Sequence, residues 1–184
     1  ADLAFTMHML SWLAVDGVAA IVEFPGVLYR GGAEAKIRKY LVENNYVDAV
    51  IQLPPDLFFG TTIGTCIIVL RKAKKDNAVL FVDASKQFVR QGNKNKLSPE
   101  NQEAILGMLQ ERADVDYTAA LVDAERIVDN GYNLSVSAYV EAEDTREVID
   151  IAELNARIKR IVTHQAELRA GIDKIVADLE GDEK

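Results

Sequence analysis

The chain has 184 residues, 49% apolar and 27% charged, with a formal net charge of −8. A chain of this length buries about 70% of its unfolded surface, and this composition excludes a disordered or fibrous protein. The acid excess argues against gripping nucleic acid by bulk charge, because that affinity comes from Lys and Arg displacing counterions. Any nucleic-acid role would need a basic partner or further sequence.

No apolar stretch reaches the roughly 20 residues that cross a bilayer, and no signal segment opens the chain. The single Cys66 lies in the apolar run "TCIIVL" and reads as a buried thiol of a reducing compartment, so a cytoplasmic protein is expected. The opening "ADLAFTMHMLSWL" lacks an initiator Met and already has helical periodicity, which reads as a fragment of something longer.

Leu3, Met7, Leu10 and Leu13 fall at helical spacing, and "DGVAAIVEFP" then turns into a short buried strand at 18 to 23. "GGAEAKIRKYLVEN" reads as a helix with Ile37, Tyr40 and Leu41 facing inward, and "YVDAVIQL" as the next strand. This alternation predicts a mainly parallel sheet covered on both faces. "TCIIVLRKA" and "AVLFVDA", joined by the polar turn "KKDN", predict an antiparallel hairpin. "SKQFVRQGNKNKLS" reads as a basic loop or linker.

Ser98 and Pro99 suit the N-cap and first turn of a helix through "ENQEAILGMLQER". A further helix is expected over "YTAALVDAERIVDN", stopped by Gly131, and "YNLSVSAYVEAED" reads as extended. In the last segment Ile151, Leu154, Ile158, Ile161, Gln165, Leu168, Ile172, Ile175 and Leu179 recur in steps of three and four. That is a heptad seam on one long helix, with Asp150 and Glu153 resembling a capping box at its start. A polar residue at a seam position, here Gln165, can set register, and Gly171 costs about 1 kcal/mol of helix stability relative to Ala. The seam suits either docking on its own domain or pairing with another chain.

Few motifs carry chemistry by themselves. In "LPPD", Leu53 and Asp56 flank Pro54 and Pro55 where the Asn/Asp-Pro-Pro-aromatic tetrad of amino-methyltransferases needs a polar and an aromatic residue. It is read as a rigid strand exit. "FPGVLYRGGAEAKIRKYL" does not have phosphate-loop spacing and reads as a helix-initiating turn, although Tyr29 and Arg30 would sit at the carboxyl edge of the sheet, where open α/β folds place ligands. His8 and His164 have no companions at metal spacing, so no metal site is expected, and no catalytic residue is assigned.

Taken together, "DGVAAIVEFPGVLYRGGAEAKIRKYLVENNYVDAVIQLP", "LFFGTTIGTCIIVLRK", "LSPENQEAI" and "NGYNLSVSAYV" resemble the carboxyl-terminal part of the modification (M) subunit of type I restriction-modification DNA adenine-N6 methyltransferases. The resemblance spans most of residues 1 to 140. It implies an α/β fold: the distal half of a Rossmann-like S-adenosylmethionine-dependent methyltransferase sheet, followed by a helical region ending in the heptad helix. The boundaries expected are 1–90 for the partial methyltransferase domain, 91–147 for a helical and extended linker, and 148–184 for the coiled-coil-type helix.

In such enzymes the glycine loop for the cofactor and the Asn-Pro-Pro-Phe-like tetrad precede the point at which this chain starts. The complete protein would therefore use S-adenosylmethionine, while no cofactor is expected for these 184 residues alone. The segment "LFFGTTIGTCIIVL" resembles the motif whose aromatic holds a flipped base, matching Phe58 or Phe59, with Tyr29 and Arg30 as further candidates for that pocket. Tyr132, Asn133 and Tyr139 match a segment associated with subunit and DNA contacts. The heptad residues would dock on the coiled coil of a specificity subunit. The partners implied are that subunit, a second M subunit, a nuclease subunit joining through the complex, and DNA reached mainly through the assembly.

Two rival readings accompany this one. One is a non-enzymatic adaptor or dimerisation module on an α/β scaffold, and the other a single-chain restriction-methylation enzyme.

Overall fold

The computed structural model describes residues 2–143 and 150–181, and the chain divides into two compact units, Ala1–Glu143 and Asp144–Lys184. The first unit runs α1 (Asp2–Trp12), β1 (Val18–Glu23), a 3-10 turn (Pro25–Leu28), α2 (Ala33–Glu43), β2 (Val47–Gln52), β3 (Cys66–Arg71) and β4 (Val79–Asp83). It continues with β5 (Val89–Gln91), β6 (Lys94–Lys96), α3 (Pro99–Glu111), β7 (Ala119–Val122), α4 (Ala124–Asp129) and a 3-10 turn (Val136–Ala138).

Five strands form one mixed sheet in the order β1-β3-β2-β4-β7. Among the described residues the one parallel pair of neighbouring strands is β2–β4; β3 is antiparallel to both β1 and β2, and β7 is antiparallel to β4. The expected mainly parallel sheet is thus corrected. So is the β3–β4 hairpin. The two strands do run in opposite directions, but β2 lies between them. The link from 72 to 78 crosses under the start of β2, where the Lys74 ammonium donates to the carbonyls of Val47 (2.7 Å) and Ala78 (2.8 Å). As the middle strand, β2 is covered on both faces, which accounts for its unbroken apolar run. β1 is an edge strand, with Val18 50% and Val22 46% exposed, rather than the buried strand expected.

Apolar residues cover both faces of the sheet. On one face Leu3, Val27, Leu41, Val50, Ile68, Phe81, Ile127 and Leu134 gather under α1, α2, α4 and the 134–140 segment. On the other, Ile51, Leu80, Val82 and Ala119 pack with Ile105 of α3. In α2, Leu41 is buried and Ile37 half-buried, but Tyr40 points out and Arg38 takes an inward place at 2% exposure. Arg38 is tolerated there because it donates to the carbonyls of Val27 (2.9 Å) and Tyr132 (3.0 Å).

Three other local expectations change. Residues 89–96 form a β-hairpin, not a loop, with Val89 opposite Lys96 and the left-handed Gly92 (φ 61°) at its corner. The helix expected over "YTAALVDAERIVDN" is a strand followed by a short helix, because the open edge of β4 captures residues 119–122. The 132–140 segment is irregular with a 3-10 turn rather than extended. Because β7 belongs to the main sheet, residues 91–143 pack with residues 1–90, and the boundary expected at 90 does not fall there.

The capping of α3 is as expected. Ser98 Oγ accepts from the Asn101 amide (3.3 Å) and Asn101 Oδ1 from the Ser98 amide (3.0 Å). At its far end Arg112, in a left-handed conformation (φ 47°), donates to Asp48 Oδ1 at 2.9 Å and anchors α3 to the start of β2.

The second unit consists of α5 (Ile151–Gly181), about 46 Å long at 1.5 Å per residue. Asp150 Oδ1 accepts the amides of Ala152 (2.8 Å) and Glu153 (3.2 Å), the Asp150 half of the capping box expected there. Residues 144–149, the end of the expected linker and the first two residues of the expected helix, lie outside the described residues. No described helix is long and apolar enough to cross a membrane.

Candidate nucleic-acid interface

The site grows from the connection between β2 and β3. At its neck Leu53 donates its amide to the Thr65 carbonyl (2.8 Å), and Gln52 Nε2 donates to the same carbonyl (3.1 Å). The two ends approach so closely that a Cβ on Gly64 would stand 3.1 Å from the Leu53 carbonyl. Pro54 and Pro55 stiffen the exit from β2, and Asp56 (φ 55°) and Gly60 (φ 81°) bend the loop. The result presents two adjacent aromatic rings: Phe59 is fully exposed and Phe58 is 38% exposed.

These rings border a cleft of about 440 Å³ with Phe24 and Glu23 at the end of β1 and Thr65 at the entry to β3. Three Phe residues around one cleft suit a flat ring, which gains by stacking. Thr65 is 4% exposed, and its buried hydroxyl has no hydrogen-bond partner among the described residues. Glu23 is buried and accepts from the Thr6 hydroxyl at 3.2 Å. Burial pushes its carboxyl up from the ordinary value, against the pull of the Thr6 hydrogen bond. The neighbouring Cys66 is fully buried, as expected. Its thiol donates to the Glu23 carbonyl at 3.4 Å and is pushed up to about 12, chiefly by burial, which leaves it inert as a nucleophile.

Of the residues expected at a base pocket, Phe58 and Phe59 line this cleft, while Tyr29 and Arg30 do not. The 3-10 turn carries those two away, and the Arg30 guanidinium lies against Gly26, where it would be 2.7 Å from a Cβ. Sequence reasoning missed Phe24, Glu23 and Thr65. The only signal for the first two was their place at the end of a strand, and for Thr65 its place just before one.

The subunit-contact candidates separate into two groups. Tyr139 is a core residue, 7% exposed and stacked on Phe81 at 4.3 Å, so its surface role is withdrawn. Its hydroxyl donates to the Asn133 carbonyl at 2.6 Å. Asn133 shapes a turn by accepting the Ser135 amide, and Tyr132 donates its hydroxyl to Glu43 at 2.8 Å. These three fasten the 130–140 segment to its neighbours. Along α5, by contrast, Ile151, Leu154, Ile158, Ile161, Leu168, Ile172, Ile175 and Leu179 are between 44% and 70% exposed, and Gln165 is exposed among them.

S-adenosylmethionine, which the resemblance implies for the complete protein, needs a backbone that approaches it closely. The candidate glycines before α2 do not enforce that: a Cβ at Gly31 or Gly32 would meet nothing within 4 Å. Open space at these two positions does not distinguish a cofactor-binding backbone among the described residues. Among them no cluster of three metal-ligating side chains occurs, and His8 stacks on Trp12 while His164 lies 3.7 Å from Glu167.

The geometry defines a mixed α/β protein with an aromatic cleft at one end of its sheet. The chain belongs to the N-6 DNA methylase family, whose model matches residues 1–148. It is 45% identical over 99% of its length to the type I restriction enzyme MpnII methylase subunit of Mycoplasma pneumoniae, covering 34% of that protein. It is 33% identical over 98% of its length to the MjaVII methylase subunit of Methanocaldococcus jannaschii, covering 32% of it. Among solved structures, the type I restriction-modification methyltransferase subunit from Streptococcus thermophilus superposes with a TM-score of 0.75 at 44% identity, over 77% of this chain and 30% of that one. The chain thus spans about a third of the length of the curated relatives it matches.

Proposed function

We propose that these 184 residues are the distal part of the DNA-methylating subunit of a type I restriction-modification system. The complete, assembled protein would transfer a methyl group from S-adenosylmethionine to adenine N6. This part contributes the far strands of the methyltransferase sheet, one wall of the base pocket, and a docking helix. The cleft of Phe24, Phe58 and Phe59 is the observation that carries the reading. A base swung out of the duplex stacks on the Phe58 or Phe59 ring.

The exposed seam of α5 supports docking on the coiled coil of a specificity subunit, and through it assembly with a second M subunit and the nuclease subunit. The same seam also favours the rival reading, in which α5 pairs with a second copy of itself in an adaptor protein.

The test is methyl transfer to DNA by the complete protein assembled with its specificity subunit. Phe58→Ala and Phe59→Ala together should lower kcat/KM by about 10- to 100-fold, the equivalent of roughly 1–3 kcal/mol of lost stacking. Unchanged kinetics in the double variant would remove the aromatic pair from the base pocket, and absence of methyl transfer by the wild-type assembly would favour the adaptor.

A further inference from the structure

We infer that the β5–β6 hairpin is a phosphate-binding clamp that holds a nucleic-acid backbone beside the aromatic cleft. The inference rests on the DNA-methylating reading above and adds to it a contact made by this chain's own cations.

The overall charge of −8 conceals a strong local asymmetry. Between Ala84 and Pro99 the chain carries Lys86, Arg90, Lys94 and Lys96 and no carboxylate. At physiological ionic strength fields decay over about 8 Å, so a phosphate at the hairpin responds to these cations and to Asp56 and Glu143, which lie within 4.0 Å of three of them, and not to acidic residues on distant surfaces.

The structure gives this basic segment a shape and a location. It folds as a hairpin whose ladder sets Val89 against Lys96 and Gln91 against Lys94, and it is attached to the loop that bears the aromatic pair. The buried Asn95 donates its amide to the Asp56 carbonyl (3.0 Å) and its side chain to the Pro55 carbonyl (2.7 Å). Lys94 donates to the carbonyls of Phe58 (3.2 Å) and Thr61 (3.0 Å). Arg90 reaches Asn95 Oδ1 at 3.0 Å and Asp56 at 3.4 Å.

Two kinds of cation result. Arg90 and Lys94 are partly committed to the loop. Lys86 and Lys96 are exposed, and Lys86 forms an exposed, solvent-screened ion pair with Glu143 at 3.9 Å. Phe88 and Val89, 38% and 46% exposed, lie between the cations in sequence. Cations interleaved with exposed apolar and aromatic groups are what a nucleic-acid strand with unstacked bases recognises. Extruding a base distorts the backbone beside it, and a clamp fixed rigidly to the stacking loop holds that backbone in register with the pocket.

The test uses the complete protein assembled with its specificity subunit, two duplex oligonucleotides with and without the recognition site, and the salt dependence of binding. Lys86→Gln/Lys96→Gln should weaken both duplexes by the same factor. It should also reduce the slope of log affinity against log salt by about 1.8, roughly 0.9 for each phosphate that is no longer neutralised. The control Lys36→Gln/Lys75→Gln, on α2 and on the β3–β4 link, should leave the slope unchanged.

A wild-type slope retained in the hairpin variant overturns the clamp, even if methylation shows the functional reading to be right. Loss of the specificity subunit from the variant assembly overturns it too, by making the hairpin a protein-docking surface. A reduced slope in an assembly that binds DNA without methylating it sustains the clamp and refutes the methyl-transfer reading.

Discussion

Lys94 donates to the Thr61 carbonyl at 3.0 Å, tying a basic hairpin to the loop that presents Phe58 and Phe59. Two segments that read as separate loops, with β3 and β4 between them in the chain, are therefore one structural element, and the order of the aromatic pair depends on the hairpin behind it.

Asn95 is the buried pivot of that element. Asn95→Ala removes the side chain that bonds the Pro55 carbonyl and the Arg90 guanidinium, two part-buried hydrogen bonds. Each such loss costs about 0.5–1.5 kcal/mol. Denaturant unfolding should register it, and hydrogen exchange across residues 56–63 should accelerate. Unchanged exchange there would show that the loop keeps its shape without the hairpin.

Arg38 fastens the 130–140 segment to α2 and to the first 3-10 turn. Burial lowers its guanidinium from the ordinary value, with Glu34 opposing. Arg38→Met fills much of the same space but leaves the Val27 and Tyr132 carbonyls without their donor. A loss of about 2–4 kcal/mol is expected, since hydrogen bonds to charged groups contribute about 1.5–3 kcal/mol each and Met recovers some packing. A change under about 1 kcal/mol in urea denaturation would mean that water replaces the guanidinium freely.

Glu23 makes a signed prediction about pH. Its carboxyl is raised in the folded state, so the folded protein holds the proton more tightly than the unfolded chain. Stability from this group is then fully present below the unfolded value, 4.5, and is lost as pH rises through the folded value. Glu23→Gln, which keeps an acceptor for Thr6, should stabilise the protein more at pH 7 than at pH 4. Equal effects at the two pH values, read from denaturation midpoints, would contradict the raised carboxyl.

The α5 seam should be separable from the α/β unit. Ile158→Glu and Leu168→Glu place charge on an exposed apolar stripe, where the isolated helix loses little. Binding to a specificity subunit should fall below detection in pull-down, while the near-ultraviolet spectrum and melting of the α/β unit stay unchanged. Retained binding would dissociate the seam from docking.

What was legible in the sequence was local or periodic. The heptad seam, the Asp150 and Ser98 caps and the bounds of β1, β2 and β3 follow from spacing and cap chemistry that act within a few residues. The resemblance carried by four separated segments led to the same family that the comparisons establish. The fragmentary length fits the third of its relatives that the chain spans.

Tertiary structure alone decided the rest. Strand order is a matter of which edges meet, so β2 could enter between β3 and β4 with no local sign in "KKDN". Residues 119–122 became a strand because β4 offered an open edge, overriding a helical pattern. Tyr139 went to the core because its hydroxyl found the Asn133 carbonyl, and Arg38 was buried because two carbonyls converged on it. The basic hairpin acquired its bearing on the site in the same way: charge can be counted along a chain, but the surface it faces is set by hydrogen bonds to distant segments.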